Sequence, residues 1–337
     1  MVRMDLRHHG DREARPGLVD LAVNVRTAAP SPWLAAALAA GFADLRRYPD
    51  PAGATAAIAA RHHRDPAEVL VTAGAAEAFV LIARAFTPHR PVAVHPSFTE
   101  PEAALTAAGH LVGRAIAAAP GFLLPDVDDE ADLVVLGNPT NPTGVLHPRE
   151  SVRALARTGR TLVVDEAFMD FVPGETESLA GMSDVPGLLV IRSLTKMWGL
   201  AGLRIGYVLA EPTVIDRLRD QQPLWAVSTP ALHAAVACMP DEALAEATVA
   251  ARETAAARDH LTGLLRTVPG VSVSPGASAN FLLLHTADGV GFRDRLLDRG
   301  FAVRRGDTFP GLGPDWTRVA VPSPDVADAF VAAVKSS

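Results

Sequence analysis

The 337-residue sequence predicts an α/β fold, with a mostly parallel central sheet sandwiched by helices and a smaller α+β C-terminal domain. Three observations carry this prediction. Short apolar runs rich in Val, Ile and Leu recur along the first two thirds of the chain, the pattern of strands buried on both faces. Longer Ala-rich or amphipathic segments separate most of them, as crossover helices do. Beyond about residue 223 the alternation gives way to one long helical stretch and a few short strands.

The expected strands of the first part lie at 69–72, 91–95, 133–136, 161–165, 188–192 and 205–209, with helices at 75–86, 100–108 and 149–158 between them. The stretch from 241 to about 265 is Ala-rich, and Ala is the strongest helix former. Short strands are expected at 271–273, 280–284 and 317–320, with a helix over about 291–299. No repeat of fixed period and no low-complexity linker interrupts the chain. The expected division is an N-terminal arm over 1–30 that contributes to the small domain and the substrate site, a large domain over 31–225, and a small domain over 226–337.

Composition narrows the function. The chain is 49% hydrophobic and 20% charged with a net charge of −7, an ordinary globular balance without the basic face that nucleic acid favours. One cysteine, Cys238, excludes an intrachain disulfide and fits a reducing compartment. The first residues, MVRMDLRHHGDRE, lack the apolar core of a signal peptide. A long charge-free run, 221–240, contains Pro223, Pro230, Pro240 and His233, which make it a poor membrane span. A soluble cytoplasmic protein is expected, with no membrane or nucleic-acid partner and no metal site. Among the 31 Lys and Arg residues only Lys196 and Lys335 are lysine. Lys335 lies near the C-terminus, whereas Lys196 lies within the apolar SLTKMWGLAG.

Five motifs fall at strand ends, where open parallel sheets bind ligands. Thr72-Ala73-Gly74-Ala75-Ala76-Glu77 follows a strand and opens a helix, and its small residues would let backbone amides approach a phosphate; alone it reads more readily as a plain turn. Asn138-Pro139-Thr140-Asn141-Pro142-Thr143-Gly144 specifies a rigid turn, or a turn that points the Asn141 amide at a ligand. Asp165 ends an apolar strand, either as an exposed terminus or as the partner of a buried ring nitrogen. Ser193-Leu194-Thr195-Lys196 follows another strand. A lysine there either snorkels to solvent or, desolvated, becomes a nucleophile. The scarcity of lysine weighs against the first reading, because arginine serves equally well as a surface cation. Arg204, eight residues after Lys196, suits bidentate phosphate binding. An amine nucleophile, a carboxylate for a ring nitrogen and a phosphate cradle together describe a site for pyridoxal 5′-phosphate (PLP), held to Lys196 as a Schiff base.

With these motifs in order, the sequence resembles the fold-type I PLP enzymes of aminotransferase class I/II. It is most similar to the threonine-phosphate decarboxylases of cobalamin biosynthesis and next to the histidinol-phosphate aminotransferases. The resemblance runs from Arg7-His8-His9-Gly10-Asp11 to Thr317-Arg318-Val319-Ala320. It includes Arg47-Tyr48-Pro49-Asp50, the Gln221–Ser228 stretch, Ala279-Asn280-Phe281 and Phe309-Pro310-Gly311-Leu312. It implies that Lys196 carries the cofactor, Asp165 pairs with the pyridinium, Asn141 bonds the ring oxygen and Phe98 stacks on the ring. It implies that Gly74, Ala75, Ala76, Ser193 and Arg204 bind the cofactor phosphate. Tyr48 would reach the phosphate of a neighbouring subunit, so a homodimer with shared sites is implied. Arg318 would hold the substrate carboxylate, and Arg304, fourteen residues earlier, a further substrate anion. His9 and Asn24 match positions near the substrate. Phe168 stands where many aminotransferases carry tyrosine, and this resembles the decarboxylases; the missing hydroxyl removes one bond to the ring oxygen, worth roughly 1 kcal/mol.

The departures are Asn24-Val25-Arg26-Thr27-Ala28-Ala29-Pro30 in place of an Asn-rich loop, Pro322 in place of a second arginine, and Ala75-Ala76 in place of more polar residues. They touch the substrate side more than the cofactor side. The resemblance therefore implies decarboxylation of a phosphorylated amino acid such as O-phosphothreonine, with transamination and a non-catalytic PLP-binding role as alternatives.

Overall fold

The computed structural model describes residues 5–26 and 29–335; Thr27 and Ala28 of the departing 24–30 segment lie outside them. The strands are β1 (Val19–Asp20), β2 (Val69–Thr72), β3 (Pro91–His95), β4 (Gly113–Ile116), β5 (Leu133–Gly137), β6 (Thr161–Asp165), β7 (Leu188–Ser193), β8 (Gly206–Leu209), β9 (Ser272–Val273), β10 (Phe281–His285), β11 (Phe301–Ala302), β12 (Arg304–Arg305) and β13 (Trp316–Ala320). The helices are α1 (Pro32–Ala43), α2 (Ala52–His62), α3 (Ala75–Ala85), α4 (Glu100–Ala107), α5 (Arg149–Arg153), α6 (Pro212–Arg219), α7 (Thr229–Ala237), α8 (Asp241–Leu265), α9 (Gly289–Asp298) and α10 (Pro324–Lys335).

Seven strands form the central sheet in the order β2-β8-β7-β6-β5-β3-β4. All run parallel except β8, which is antiparallel to both neighbours. Strands β2, β5, β7 and β8 are buried along their whole length, which is why they read as unbroken apolar runs rather than alternating ones. One face packs on a core that includes Ile58 of α2, Ala231 and Ala235 of α7, and Ala243 to Ala251 of α8. The other packs on Phe79 and Ile82 of α3, Leu105 of α4 and Ile215 of α6. A third core gathers the end of α8 (Leu261, Leu265) with α9, α10 and the antiparallel sheet β12-β13-β10-β9. The N-terminal strand β1 joins this C-terminal part by parallel pairing with β11. Among the described residues, no helix is long and apolar enough to cross a membrane.

Several short elements, among them β1, β11 and β12, were not anticipated, and two differences in the central sheet region have a local cause. The helix expected over 149–158 ends at Arg153: the Leu155 and Ala156 amides bond carbonyls three residues back, and the Arg160 guanidinium then takes the Leu155 carbonyl at 2.9 Å. Strand β4 was not anticipated; at the sheet edge its Gly-Arg-Ala-Ile is largely exposed and carries no apolar run.

Beneath the carboxyl end of β7, Arg192 is fully buried. It donates to Asp170 and Glu175, each at 2.7 Å, and to Glu166 at 3.3 Å, while Arg61 bonds the same Asp170 and Glu175. The pairing of each cation with several carboxylates meets the requirement of buried charge.

Candidate active site

Where β2, β6 and β7 end, a pocket of about 520 Å³ opens between the central sheet, the N-terminal segment and the C-terminal domain. It is lined by His9, Asn24, Ala75, Ala76, Phe98, Asn141, Asp165, Phe168, Ser193, Lys196, Arg204, Arg304 and Arg318. Thirteen of the fifteen residues singled out from the sequence thus meet in one cavity. Gly74 sits directly behind it as the N-cap of α3. Tyr48 lies elsewhere, on the surface, stacked on Trp225 with ring centroids 4.1 Å apart.

The floor is built by strand ends. Asp165 and Glu166 follow one another at the end of β6, and alternation sends them to opposite sides. Glu166 meets Arg192 and Ser178. Among the described residues the Asp165 carboxylate accepts one bond, from the Ala167 amide at 3.1 Å. Burial pushes its carboxyl up to about 6, opposed by the Ala167 bond and the Lys196 charge. A buried carboxylate so poorly satisfied fits a cationic ring N–H. Lys196 makes no side-chain hydrogen bond among the described residues, and its ammonium lies 5.8 Å from the centroid of the Phe168 ring. Burial, then Arg318 and Arg204, bring its amine down to about 8 despite Asp165. A substantial neutral fraction is thereby present near neutral pH.

The approach of α3 to the sheet and to Arg204 depends on two glycines. Gly74 has φ +78°, and a Cβ there would stand 2.5 Å from Arg204 Nη2. Gly206, which sequence reasoning passed over, lets the start of α3 approach the sheet, since its Cβ would lie 3.0 Å from the Ala75 nitrogen. The Ala75 and Ala76 amides open a helix and have no intrahelical acceptor. With Ser193, whose hydroxyl is 2.7 Å from that of Thr195, and the Arg204 guanidinium, they form a site suited to a phosphate dianion.

The wall of the pocket formed by the C-terminal part is cationic. Arg304 and Arg318 are cross-strand partners on β12 and β13, and both are buried. Arg318 donates to Asn141 Oδ1 at 2.6 Å and to the Ala22 carbonyl, and its Nε has no partner among the described residues. Because arginine only donates, this fixes the orientation of the Asn141 amide and leaves its NH₂ group toward other acceptors. Arg304 donates to the His8 carbonyl and the Thr308 hydroxyl, each at 2.6 Å, with Glu13 4.0 Å away. Burial, followed by the charge of Arg304, lowers the Arg318 guanidinium to about 9. Burial lowers Arg304 to about 10, with Glu13 opposing. Asn24 is buried beside them with an unpartnered side-chain NH₂.

Arg26 and Pro322 do not line this pocket. Both border a neighbouring cavity of about 890 Å³ beside α8, and Arg26 touches the site only through its amide, which donates to the Lys196 carbonyl at 3.0 Å. Glu100 and Thr195, which no sequence signal marked, are part of the pocket wall. Among the described residues no cluster of three or more His, Cys, Asp or Glu could hold a metal ion.

Residues 16–334 match the family described as aminotransferase class I and II. The chain is 49% identical over 320 residues to a histidinol-phosphate aminotransferase of Mycobacterium tuberculosis, covering 94% of this chain and 86% of that one. It is 33% identical over 290 residues to a threonine-phosphate decarboxylase of Salmonella typhimurium, covering 82% and 79%. The crystal structure of an L-threonine-O-3-phosphate decarboxylase from Porphyromonas gingivalis is similar with a TM-score of 0.84 and 26% identity, covering 93% of this chain and 97% of that one.

Proposed function

The chain belongs to the aminotransferase class I and II family and uses PLP, and from that premise we propose that it decarboxylates a phosphorylated amino acid, O-phosphothreonine fitting best. The observation that carries this reading is the pair of buried arginines. Arg304 and Arg318 share one wall of the pocket and bond mainly to neutral acceptors, and the charge of Arg304 lowers the proton affinity of Arg318. Two guanidinium groups without a closely bonded carboxylate call for a ligand with two anionic groups. A phosphorylated amino acid presents such a pair on either side of its amine.

PLP, when bound, supplies an electron-accepting ring that stabilises charge at the substrate Cα. In this reading Lys196 offers the amine that holds the cofactor and later moves a proton at Cα. Asp165 accepts from the ring N–H, the Asn141 NH₂ group donates to the ring oxygen, and Phe98 covers one ring face. Gly74, Ala75, Ala76, Ser193 and Arg204 hold the phosphate. Phe168 contributes apolar surface but no hydroxyl. Arg318 and Arg304, helped by Asn24 and His9, orient the carboxylate and the distal phosphate, and so select which Cα substituent leaves.

Tyr48 has no part in the pocket of its own chain. Its exposure, with that of Phe42, Leu45, Leu224 and Trp225 in the same stretches, supports a homodimer in which it serves the partner's site. The single buried cysteine supports a cytoplasmic setting, and the substrate would put the enzyme in cobalamin biosynthesis.

The test is to incubate holoenzyme with O-phospho-L-threonine and no amino acceptor. Release of CO₂ and aminopropanol phosphate is expected. The second reading, an aminotransferase, is favoured by the name of the 49% identical relative. It replaces the first if product forms only when 2-oxoglutarate is present and retains the carboxylate or is a keto compound.

A further inference from the structure

Glu100 stands out because it is an acid on the wall of a pocket built to receive anions. Its Oε1 lies 2.6 Å from Nε2 of His9, and both side chains line the cavity. The two residues are 91 positions apart: Glu100 begins α4, and His9 belongs to the N-terminal segment. A carboxylate accepts, so the hydrogen of this contact is carried on Nε2. Nδ1 of His9 has no hydrogen-bond partner among the described residues. The ring also leans on Phe98, with centroids 5.3 Å apart.

Other bonds hold the same segment. The Thr99 hydroxyl donates to the Leu6 carbonyl at 2.5 Å, and Arg304 donates to the His8 carbonyl at 2.6 Å. At Gly10 a Cβ would stand 2.3 Å from the Ala22 carbonyl oxygen and 3.5 Å from Arg318 Nη2, so the segment runs tightly past the substrate-side arginine. Glu100, with its neighbour Thr99, joins this segment to the wall carrying Phe98.

We propose that Glu100 is a positioning residue for substrate binding: it accepts from Nε2–H of the His9 ring, holds that ring so that, with a hydrogen on both nitrogens, Nδ1–H donates to the substrate's anionic group, and latches residues 6–13 along the pocket wall. The inference rests on the reading that the pocket receives an anionic substrate and is independent of which Cα bond breaks. Arg304 and Arg318 supply charge from one side; His9 supplies a directional contact whose orientation the backbone alone leaves free.

The experiment uses holoenzyme carrying Glu100→Ala, Glu100→Gln, His9→Ala or both alanines, each checked for the unchanged absorbance of the loaded cofactor. Inorganic phosphate is the probe, titrated by calorimetry, and trypsin cleavage after Arg7 and Arg12 reports the latch. Glu100→Ala and His9→Ala should each weaken phosphate binding about tenfold, the loss of one hydrogen bond to a charged group. The double variant should be no weaker than either single one. Glu100→Gln keeps an acceptor in place and should restore most of the affinity and the wild-type trypsin resistance, whereas Glu100→Ala should be cut several-fold faster. Additive losses in the double variant, or a phosphate affinity untouched by Glu100→Ala, overturn the positioning role. A cleavage rate insensitive to Glu100→Ala overturns the latch, whatever phosphate does. Failure of the wild-type holoenzyme to bind phosphate overturns the anionic-substrate reading itself.

Discussion

The two sides of the pocket are built by different means. The cofactor side is assembled from the ends of neighbouring strands in one sheet, with Gly74, Asp165, Ser193 and Lys196 each within a few residues of a strand. Its backbone is fixed by the ladder, and its unsatisfied groups are one carboxylate and one amine. The substrate side is assembled from three distant stretches: the N-terminal segment with His9 and Asn24, the Asn141 turn, and the C-terminal hairpin with Arg304 and Arg318. Its unsatisfied groups are cationic donors. A sheet edge suits a constant ligand held in one pose, whereas a convergence of separate segments lets substrate preference change without disturbing cofactor binding.

The largest expected effect breaks the cofactor side outright. Lys196→Ala should lower activity by several orders of magnitude, and borohydride should no longer fix the cofactor onto the chain; retention of that label would remove Lys196 from its role. Because Lys196 and Lys335 are the only lysines, peptide mass analysis of amine-labelled apoenzyme resolves Lys196 by itself. Its labelling should rise with pH through a midpoint of about 8. Arg318→Met removes a cation that disfavours the ammonium, so the midpoint should move upward. No movement would separate the two sides electrostatically.

Next in size is the substrate side. Arg318→Ala or Arg304→Ala should raise KM by roughly two orders of magnitude, as loss of a buried partner to an anion does, with the cofactor absorbance retained. Loss of the cofactor from either variant would mean that the sides are not separable. The smallest effect, and the sharpest test of what the floor is for, comes from Asp165→Asn. Asp165 has a folded-state pKa of about 6, above its ordinary 3.8. Its contribution to apoenzyme stability is therefore present below the ordinary value and lost as the pH rises through about 6. Asp165→Asn apoenzyme should gain on the order of 2 kcal/mol at pH 7.5 and little at pH 4, while binding PLP more weakly. Thermal melts of both apoenzymes at the two pH values measure this; a variant less stable at both would make Asp165 a structural residue.

The same contrast explains what the sequence reveals. The floor is legible because each of its residues adjoins a buried strand, and strands buried on both faces announce themselves as apolar runs; 69–72, 91–95 and 161–165 are found with the bounds read from the sequence. The substrate side is legible only in part. The fourteen-residue spacing of Arg304 and Arg318 is visible, but their pairing across β12 and β13 is a matter of register, which no local pattern encodes. Glu100 reads as an ordinary first-turn acid of a helix, and only the return of the N-terminal segment gives it a partner. The buried network of Arg61, Asp170, Glu175 and Arg192 is similarly hidden, because its members belong to four separate segments.

The reversed strand β8 has a further effect. Strand β7 ends at Ser193, and β8 begins at Gly206 directly beside it, as the Ser193–Gly206 pairing requires. The intervening twelve residues, 194–205, leave the sheet and return to the same rim, carrying Lys196 near one anchor and Arg204 near the other. Had β8 run parallel to β7, the residue preceding it would have lain at the opposite rim, a strand's length from the lysine. The reversal turns one loop into a caliper of fixed span, with an amine on one jaw and a guanidinium on the other. An amine and a guanidinium are thereby kept on one rim, as a molecule with an aldehyde and a phosphate arm on neighbouring ring carbons requires.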